Sequence, residues 1–432
     1  MVARSEGLAA RRAALEVLRD VGRGRPLDAA LAETLRTLPD HDRRLAHELA
    51  AGVLRGRSRL DRRLAQLLPR GLARVDPAVR DVLRLGAYQL TALDRVPPHA
   101  AVDTSVELAR EAAGARAAGF VNAVLRRLGS GARVASPGEP ADLADRYSHP
   151  AWLVHRWEAR FGSAAAERLL QWNNARPKLV LQPARAGLDG VVADLRAAGI
   201  TVEPAPYHAG VAVDASRPDR LPGYAVGAFV VQDPAQSLVT RFAAVPAGAV
   251  VYDACAAPGG KTIGLARDGA RVISADVHPT RLRRLKENLL RAGTGREQPV
   301  VADAAYPPVR PVDAVVLDAP CLGTGTFARH PDARWRVTPA ALAALAARQA
   351  ALLEAVASRV RPGGLLVYAT CSLEPEENTE QIDRFLARYP EFEREPPGGF
   401  PAALLTEAGD FMTLPQRDSM DGAYAARLRR RE

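Results

Sequence analysis

Residues 253–262 read Asp253-Ala-Cys-Ala-Ala-Pro-Gly-Gly-Lys-Thr262, and the apolar run leading into them, 250–254, has strand length rather than helix length. A strand that ends in a glycine turn and feeds a helix is the ligand-binding corner of doubly wound α/β proteins. The nucleotide P-loop is excluded, because that loop needs glycine where Cys255 stands. What remains is a turn in which Gly259 and Gly260 let the backbone approach a ligand, with helix N–H groups free to meet a carboxylate.

Downstream of this turn, strand and helix patterns alternate about every twenty residues, with strands expected at 250–254, 272–276, 300–303, 314–318 and 365–370. The alternation predicts a parallel doubly wound sheet with its ligands at the carboxyl ends of the strands. Asp276, Asp303 and Asp318 close three of these strands. Any one of them could simply cap the next helix. Asp276 lies roughly 20 residues past the glycine turn, where such folds place a ribose-binding carboxylate. Asp253, Asp276 and Asp303, in register at successive strand ends, describe an adenosine-type site. All three cysteines also fall at strand ends: Cys255 in the glycine turn, Cys321 in Asp318-Ala-Pro-Cys321, and Cys371 in Ala369-Thr-Cys-Ser372. A free cysteine is ordinarily a core residue, and Cys255 is read that way as regards catalysis. Cys321 and Cys371 follow neighbouring strands and could face one substrate.

Upstream, residues 8–128 carry only helical periodicity. Ala14, Val17, Leu18 and Val21 recur at i, i+3, i+4 and i+7, as do Val121, Val124, Leu125 and Leu128. Asp76-Pro77 is a helix start, an N-cap acceptor followed by proline at the first helical position. A run of Gly, Ser, Pro and acidic residues across 129–145 predicts a linker. Residues 152–172 then look helical, followed by short strands at 179–181 and 211–213 around a helix at 188–198.

The 432 residues carry a formal charge of +10, and the basic residues are almost all Arg, with Lys only at 178, 261 and 286. Residues 1–133 hold 24 Arg against 15 acidic residues, so the excess is concentrated there. Guanidinium groups suit a polyanion, although a general codon bias toward Arg gives the same composition. Three cysteines make no disulfide framework, and neither a Cys-x-x-Cys pair nor a zinc-type Cys/His spacing occurs, so no metal is expected. With no charged-then-apolar leader and no apolar stretch near the ~20 residues that span a bilayer, a cytoplasmic protein is expected.

The combination of residues 253–262, Asp318-Ala-Pro-Cys-Leu-Gly-Thr-Gly325 and Tyr368-Ala-Thr-Cys-Ser-Leu-Glu-Pro-Glu-Glu-Asn378 resembles the RNA cytosine-C5 methyltransferase family, in its bacterial small-subunit branch (RsmB, also Sun or Fmu). The resemblance covers nearly the whole chain. It implies an all-α NusB-like RNA-binding bundle at 1–130, a linker at 131–146, a helical and small α/β module at 147–235, and a Rossmann-like methyltransferase domain at 236–432. Phe229-Val-Val-Gln-Asp233 is similar to the segment that precedes the family's catalytic domain. Two departures are Pro234, where the family usually has an acid, and Asp421-Gly-Ala-Tyr-Ala425, which is poorer in aromatics than usual.

The implied reaction is methyl transfer from S-adenosylmethionine to C5 of a cytosine in RNA, namely cytosine 967 of 16S rRNA, through a covalent adduct at C6. By the same resemblance Cys371 is the nucleophile, Cys321 assists product release, and Asp318 holds the cytosine edge beside the cofactor. Cys255, Ala256, Ala257, Pro258, Gly259, Gly260 and Lys261 would bind the methionine part, Asp276 the ribose and Asp303 the adenine. RNA is the implied partner and no obligate protein partner is expected. The alternatives are a cytosine methyltransferase acting on transfer RNA or DNA, and a non-catalytic RNA-binding factor. The DNA enzymes carry a Pro-Cys motif without a Thr-Cys-Ser partner, and a binding platform needs neither thiol.

Overall fold

The computed structural model describes residues 7–130, 142–215 and 217–432. The expected linker lies largely outside them, and its last described residues begin a short helix, Leu143–Tyr147. By their contacts the residues form two units: those up to Ala175 together with Phe327–Arg336, and Arg176–Thr326 together with Val337–Glu432.

The first unit is helical: Leu8–Gly22, Leu27–Thr34, Asp40–Arg55, Arg57–Ala65, Pro77–Ala92 and Pro98–Gly129 enclose a core of Val17, Leu49, Leu64, Leu83, Val121 and Leu125. The start at Pro77 is fixed as the sequence suggests, with the Asp76 carboxylate accepting from Ala78 N–H at 2.8 Å. A methyl group at Gly52 would lie 2.0 Å from the Tyr88 ring, so glycine sets how closely helices 40–55 and 77–92 pack. Not every arginine here faces water. Arg84 is buried and forks onto both oxygens of Asp61 at 2.7 Å while reaching Asp81 at 2.9 Å. The helical stretch expected at 152–172 is two helices, Ala151–Phe161 and Ser163–Asn174, parted at Gly162 with φ 79°.

Residues 327–336, which directly follow the Pro-Cys motif in sequence, pack within this helical unit. Arg334 is fully buried and donates to Asn173 O at 2.7 Å and Asn174 Oδ1 at 2.8 Å, and Trp335 Nε1 donates to Leu54 O at 2.7 Å. Burial, reinforced by Arg55 and Arg59, pushes the Arg334 guanidinium down to about 9.

The second unit contains two sheets. The smaller is antiparallel and is formed by β1 (Leu179–Pro183), β2 (Val202–Pro204), β3 (Val211–Val213) and β4 (Phe229–Val231) in the order β2-β3-β1-β4, with helix Leu188–Ala197 against β1 and β2. The larger contains β5 (Val250–Ala254), β6 (Arg271–Asp276), β7 (Glu297–Val301), β8 (Val312–Asp318), β9 (Val360–Thr370), β10 (Phe392–Arg394), β11 (Phe411–Thr413) and β12 (Ala423–Arg430). Its order is β10-β12-β9-β8-β5-β6-β7, with β11 pairing β12.

Strands β5 to β9 are mutually parallel, as expected, but β12 pairs antiparallel with β9, and β10 and β11 pair antiparallel with β12. The sheet is therefore mixed. The antiparallel edge escapes a hydropathy reading because Arg427, Arg429 and Arg430 interrupt β12. A second difference concerns β7, which ends at Val301, so Asp303 stands two residues past the strand rather than closing it. This edge strand contains Pro299, tolerable because no strand among the described residues lies on its outer side.

A third difference concerns membrane-length segments. The 19-residue helix Pro339–Ala357 is long and apolar enough to cross a bilayer by composition, contrary to the sequence expectation. Its Leu352, Leu353 and Val356 are buried in the same core as β8 and β9, which makes it a core helix.

Candidate active site at the strand ends

The turn after β5 is held from several sides. Ala256 N–H donates to Ala275 O at 2.7 Å, tying the turn to β6, and Asn288 Nδ2 donates to Pro258 O at 2.9 Å. Cys255 and Gly259 have φ of 65° and 106°. A Cβ at Gly259 would meet Leu285 Cδ1 at 2.5 Å, and one at Gly260 would meet Gln232 Nε2 at 2.8 Å. The space beside these glycines is thus filled by protein side chains. Their smallness answers packing here, a reason the motif reading did not supply.

The helix Gly260–Arg267 carries Lys261, nearly buried, whose Nζ donates to Asp318 Oδ2 at 2.8 Å and to the Gln236 side chain. The glycine turn and the Pro-Cys motif, 57 residues apart, are joined by this ion pair. Below them Asp253 is completely buried and accepts from Thr262 Oγ1 at 2.5 Å, while its Oδ1 has no partner among the described residues. Burial pushes its carboxyl up to about 7 against the opposing Thr262 hydrogen bond, with Asp318 adding to the rise. Burial likewise raises the Cys255 thiol to about 12, helped by the Asp318 charge.

Asp276 is buried at the end of β6, and one of its oxygens accepts from His278 N–H at 2.9 Å ahead of helix Pro279–Ala292. Asp303 similarly accepts from Ala305 N–H at 3.0 Å. Both carboxylates therefore cap the chain after them, and in each the second oxygen is bonded to no other described residue. This donor set suits S-adenosylmethionine: carboxylates offer acceptors to ribose hydroxyls and amines, and their negative charge complements a sulfonium cation.

Cys321 and Cys371 are brought together. Their sulfurs are 3.4 Å apart, and Cys371 N–H points at Cys321 Sγ, also at 3.4 Å. The hydrogen bond to Cys371, followed by burial, pushes the Cys321 thiol well above its ordinary value. Several residues that the sequence reading passed over build this pair. Glu377, fully buried, accepts from Leu322 N–H at 3.0 Å and from Gln349 Nε2 at 2.9 Å, and Gln349 also donates to Pro320 O at 2.8 Å. Gly325 N–H donates to Cys371 O at 3.0 Å, and Leu373 N–H to Thr324 Oγ1 at 2.8 Å.

The two departures from the family pattern also find places. Pro234 is the first residue of helix Pro234–Ala243, and Asp233 caps it by accepting from Ala235 N–H at 2.9 Å. Gly422 donates its N–H to Gly325 O at 2.8 Å, and a Cβ on Gly325 would lie 2.5 Å from Gly422 O. The closing segment thus braces the Pro-Cys loop through backbone contact, and Tyr424 is buried in the core.

Three family models match the chain: "16S rRNA methyltransferase RsmB/F" over residues 243–429, the NusB family over 8–130, and an RsmF/B-like ferredoxin-like domain over 149–218. Curated relatives include a probable ribosomal RNA small subunit methyltransferase B from Synechocystis, 34% identical over 98% of this chain and 100% of that one. The ribosomal RNA small subunit methyltransferase B of Salmonella arizonae is 35% identical over 96% of this chain and 97% of that one. Among solved structures, PH0851 superposes with a TM-score of 0.84 at 24% identity over 98% of both chains, which shows a shared fold. NSun6 from Pyrococcus horikoshii, solved with SFG, superposes with a TM-score of 0.58 at 19% identity over 66% of this chain and 98% of that one. Identity of 34–35% to these relatives over 96–98% of this chain makes it a member of the RsmB/F family of S-adenosylmethionine-dependent 16S rRNA methyltransferases.

Proposed function

We propose that this protein methylates C5 of a cytosine in 16S rRNA, cytosine 967 by its branch of the family, through a covalent bond between Cys371 and C6. The observation that carries the reading is the 3.4 Å pairing of Cys321 and Cys371 beside the Lys261–Asp318 ion pair. One thiol alone can attack a pyrimidine, but C5 methylation also requires the C5 proton to be removed before the attacking sulfur can leave. Two thiols at contact distance supply one group for each task.

The Cys371 thiolate adds to C6, forming the C–S bond and breaking the C5–C6 double bond, whose electron pair becomes available at C5 in the enamine of the closed, no longer aromatic ring. S-adenosylmethionine supplies the electrophilic methyl group. Adduct formation turns the Cys371 sulfur into a thioether and removes it as the neighbouring thiol of Cys321. Cys321 then loses its proton to solvent and takes the C5 proton, and the returning electron pair expels Cys371 as thiolate. One proton is released overall, as methyl transfer from a sulfonium requires. Asp318, held by Lys261, holds the cytosine edge. Asp276 and Asp303 hold the ribose and adenine, and the backbone of 255–261 holds the methionine part. A paired target base must be unstacked to reach these groups. The substrate places the protein in the cytoplasm.

The test is incubation of the protein with unmodified 16S rRNA or transfer RNA and labelled S-adenosylmethionine, followed by bisulfite sequencing. One newly protected cytosine in 16S rRNA is expected. Label on another base, or on transfer RNA alone, contradicts the reading.

A further inference from the structure

The long helix Pro98–Gly129 is not continuous: Ala113 (φ −150°, ψ 16°) and Gly114 (φ 81°, ψ −177°) break it. Open space surrounds Gly114, so the glycine is there for its backbone conformation rather than for packing. At this break a groove of ≈ 570 Å³ opens toward residues 68–79, within the helical unit. Its floor is apolar. Leu68 and Val79 are buried, and Phe120, 38% exposed, lines it.

Three exposed arginines, Arg70, Arg74 and Arg116, line the same groove, and none has a carboxylate partner among the described residues. Its single acidic lining residue, Asp76, is already engaged by Ala78 N–H. A purely apolar protein side chain would need the floor but not three unneutralised guanidiniums around it. A single-stranded nucleic acid needs both, a π-face for a base and cations for the phosphates on either side.

We propose that this groove binds one unstacked base of single-stranded ribosomal RNA, with the base on Phe120 and the flanking phosphates on Arg70, Arg74 and Arg116. It is a docking subsite rather than a place of reaction. The proposal rests on the reading of the chain as an rRNA methyltransferase, and deepens it by naming where non-target RNA is held.

The test uses the full chain and two probes, naked 16S rRNA and small ribosomal subunits carrying their proteins, with binding measured over a range of salt. Phe120→Ala should weaken binding of naked rRNA about tenfold with an unchanged salt slope, because stacking releases no counterions. Phe120→Trp should restore it. The double variant Arg74→Gln/Arg116→Gln, at exposed positions that leave the core untouched, should weaken binding and flatten the log–log salt slope by roughly 0.7 for each phosphate that is no longer neutralised. Unchanged binding of naked rRNA by both variants overturns the proposal. Loss of binding confined to the protein-bearing subunits also overturns it and assigns the groove to a protein side chain. Methylation is read separately: Phe120-dependent RNA binding by a wild-type protein that does not methylate keeps the groove and overturns the function proposed above.

Discussion

Arginine in the helical unit and carboxylate in the sheet unit put charge to opposite uses. At the strand ends Asp253, Asp276 and Lys261 are buried, and Asp318 is tied to Lys261 by the ion pair at 2.8 Å. In the helical unit most arginines are exposed, and those lining the groove have no carboxylate partner among the described residues, while Arg84 is buried and fully engaged. Charges buried with fixed partners act through position and are little screened by salt. Exposed charges act through number and are strongly screened. The comparison predicts large, local, salt-insensitive effects at the strand ends, and smaller, additive, salt-sensitive effects on RNA binding from the helical surface.

The largest effect expected after those at the two thiols proposed to be catalytic is at Lys261. Lys261→Met leaves the partly solvated Asp318 without its cation, and removing one fixed electrostatic group beside a reacting centre typically costs about a hundredfold or more in rate. Methyl transfer should fall by at least about a hundredfold, while RNA affinity and its salt slope stay unchanged. A variant that loses RNA binding instead would erase the proposed division of labour. Next comes Asp276→Asn, which keeps an acceptor for His278 N–H but removes the charge. S-adenosylmethionine affinity measured by calorimetry should drop about ten- to a hundredfold, the worth of a charge-assisted hydrogen bond. Equal affinity would remove Asp276 from the ribose site.

Within the helical unit, Arg84→Met sharpens the distinction between structural and RNA-facing arginines. Asp61 is partly solvated, so the loss should be about 2 kcal/mol of stability, short of the full cost of breaking a buried pair. Thermal denaturation reads this, and the salt slope of RNA binding should not move. The last effect, at Asp253, is read as a dependence on pH. Its carboxyl stays protonated up to about 7 in the folded protein, whereas an unfolded aspartate ionises near ~4. The unfolded state therefore loses this proton first, and stability declines as pH rises from ~4 to about 7, then levels. Asp253→Asn cannot ionise, so its stability relative to wild type should improve across that window. A difference independent of pH would mean that the carboxyl is ionised throughout.

The placement of the strand-end residues was legible because it depends on local sequence: an apolar strand, then a polar residue at its end. Val250–Ala254 is a strand with the predicted bounds, and Cys321 and Cys371, placed on one crevice from strand order alone, are in contact. What escaped was set by tertiary context. Glu377 carried no role of its own within its motif and Gln349 lay outside every motif, yet once buried they anchor the backbone on both sides of Cys321. The shift of β7 that leaves Asp303 beyond the strand depends on an edge tolerating Pro299. The packing of 327–336 in the helical unit has no periodic signature, since Arg334 satisfies backbone and asparagine oxygens rather than forming an apolar stripe.

The central claim, two thiols with different tasks, is tested most directly by mixing Cys371→Ser and Cys321→Ser proteins with unmodified 16S rRNA and S-adenosylmethionine and running each on a denaturing gel. A serine hydroxyl is hardly ionised at neutral pH, so Cys371→Ser should form no adduct and transfer no methyl group. Cys321→Ser keeps the attacking thiol but cannot take the C5 proton, so protein should accumulate as a denaturation-resistant complex with methylated RNA. Trapping by the Cys371 variant instead would reverse the two roles. Full activity in both variants, with no trapped complex, would contradict the covalent mechanism itself.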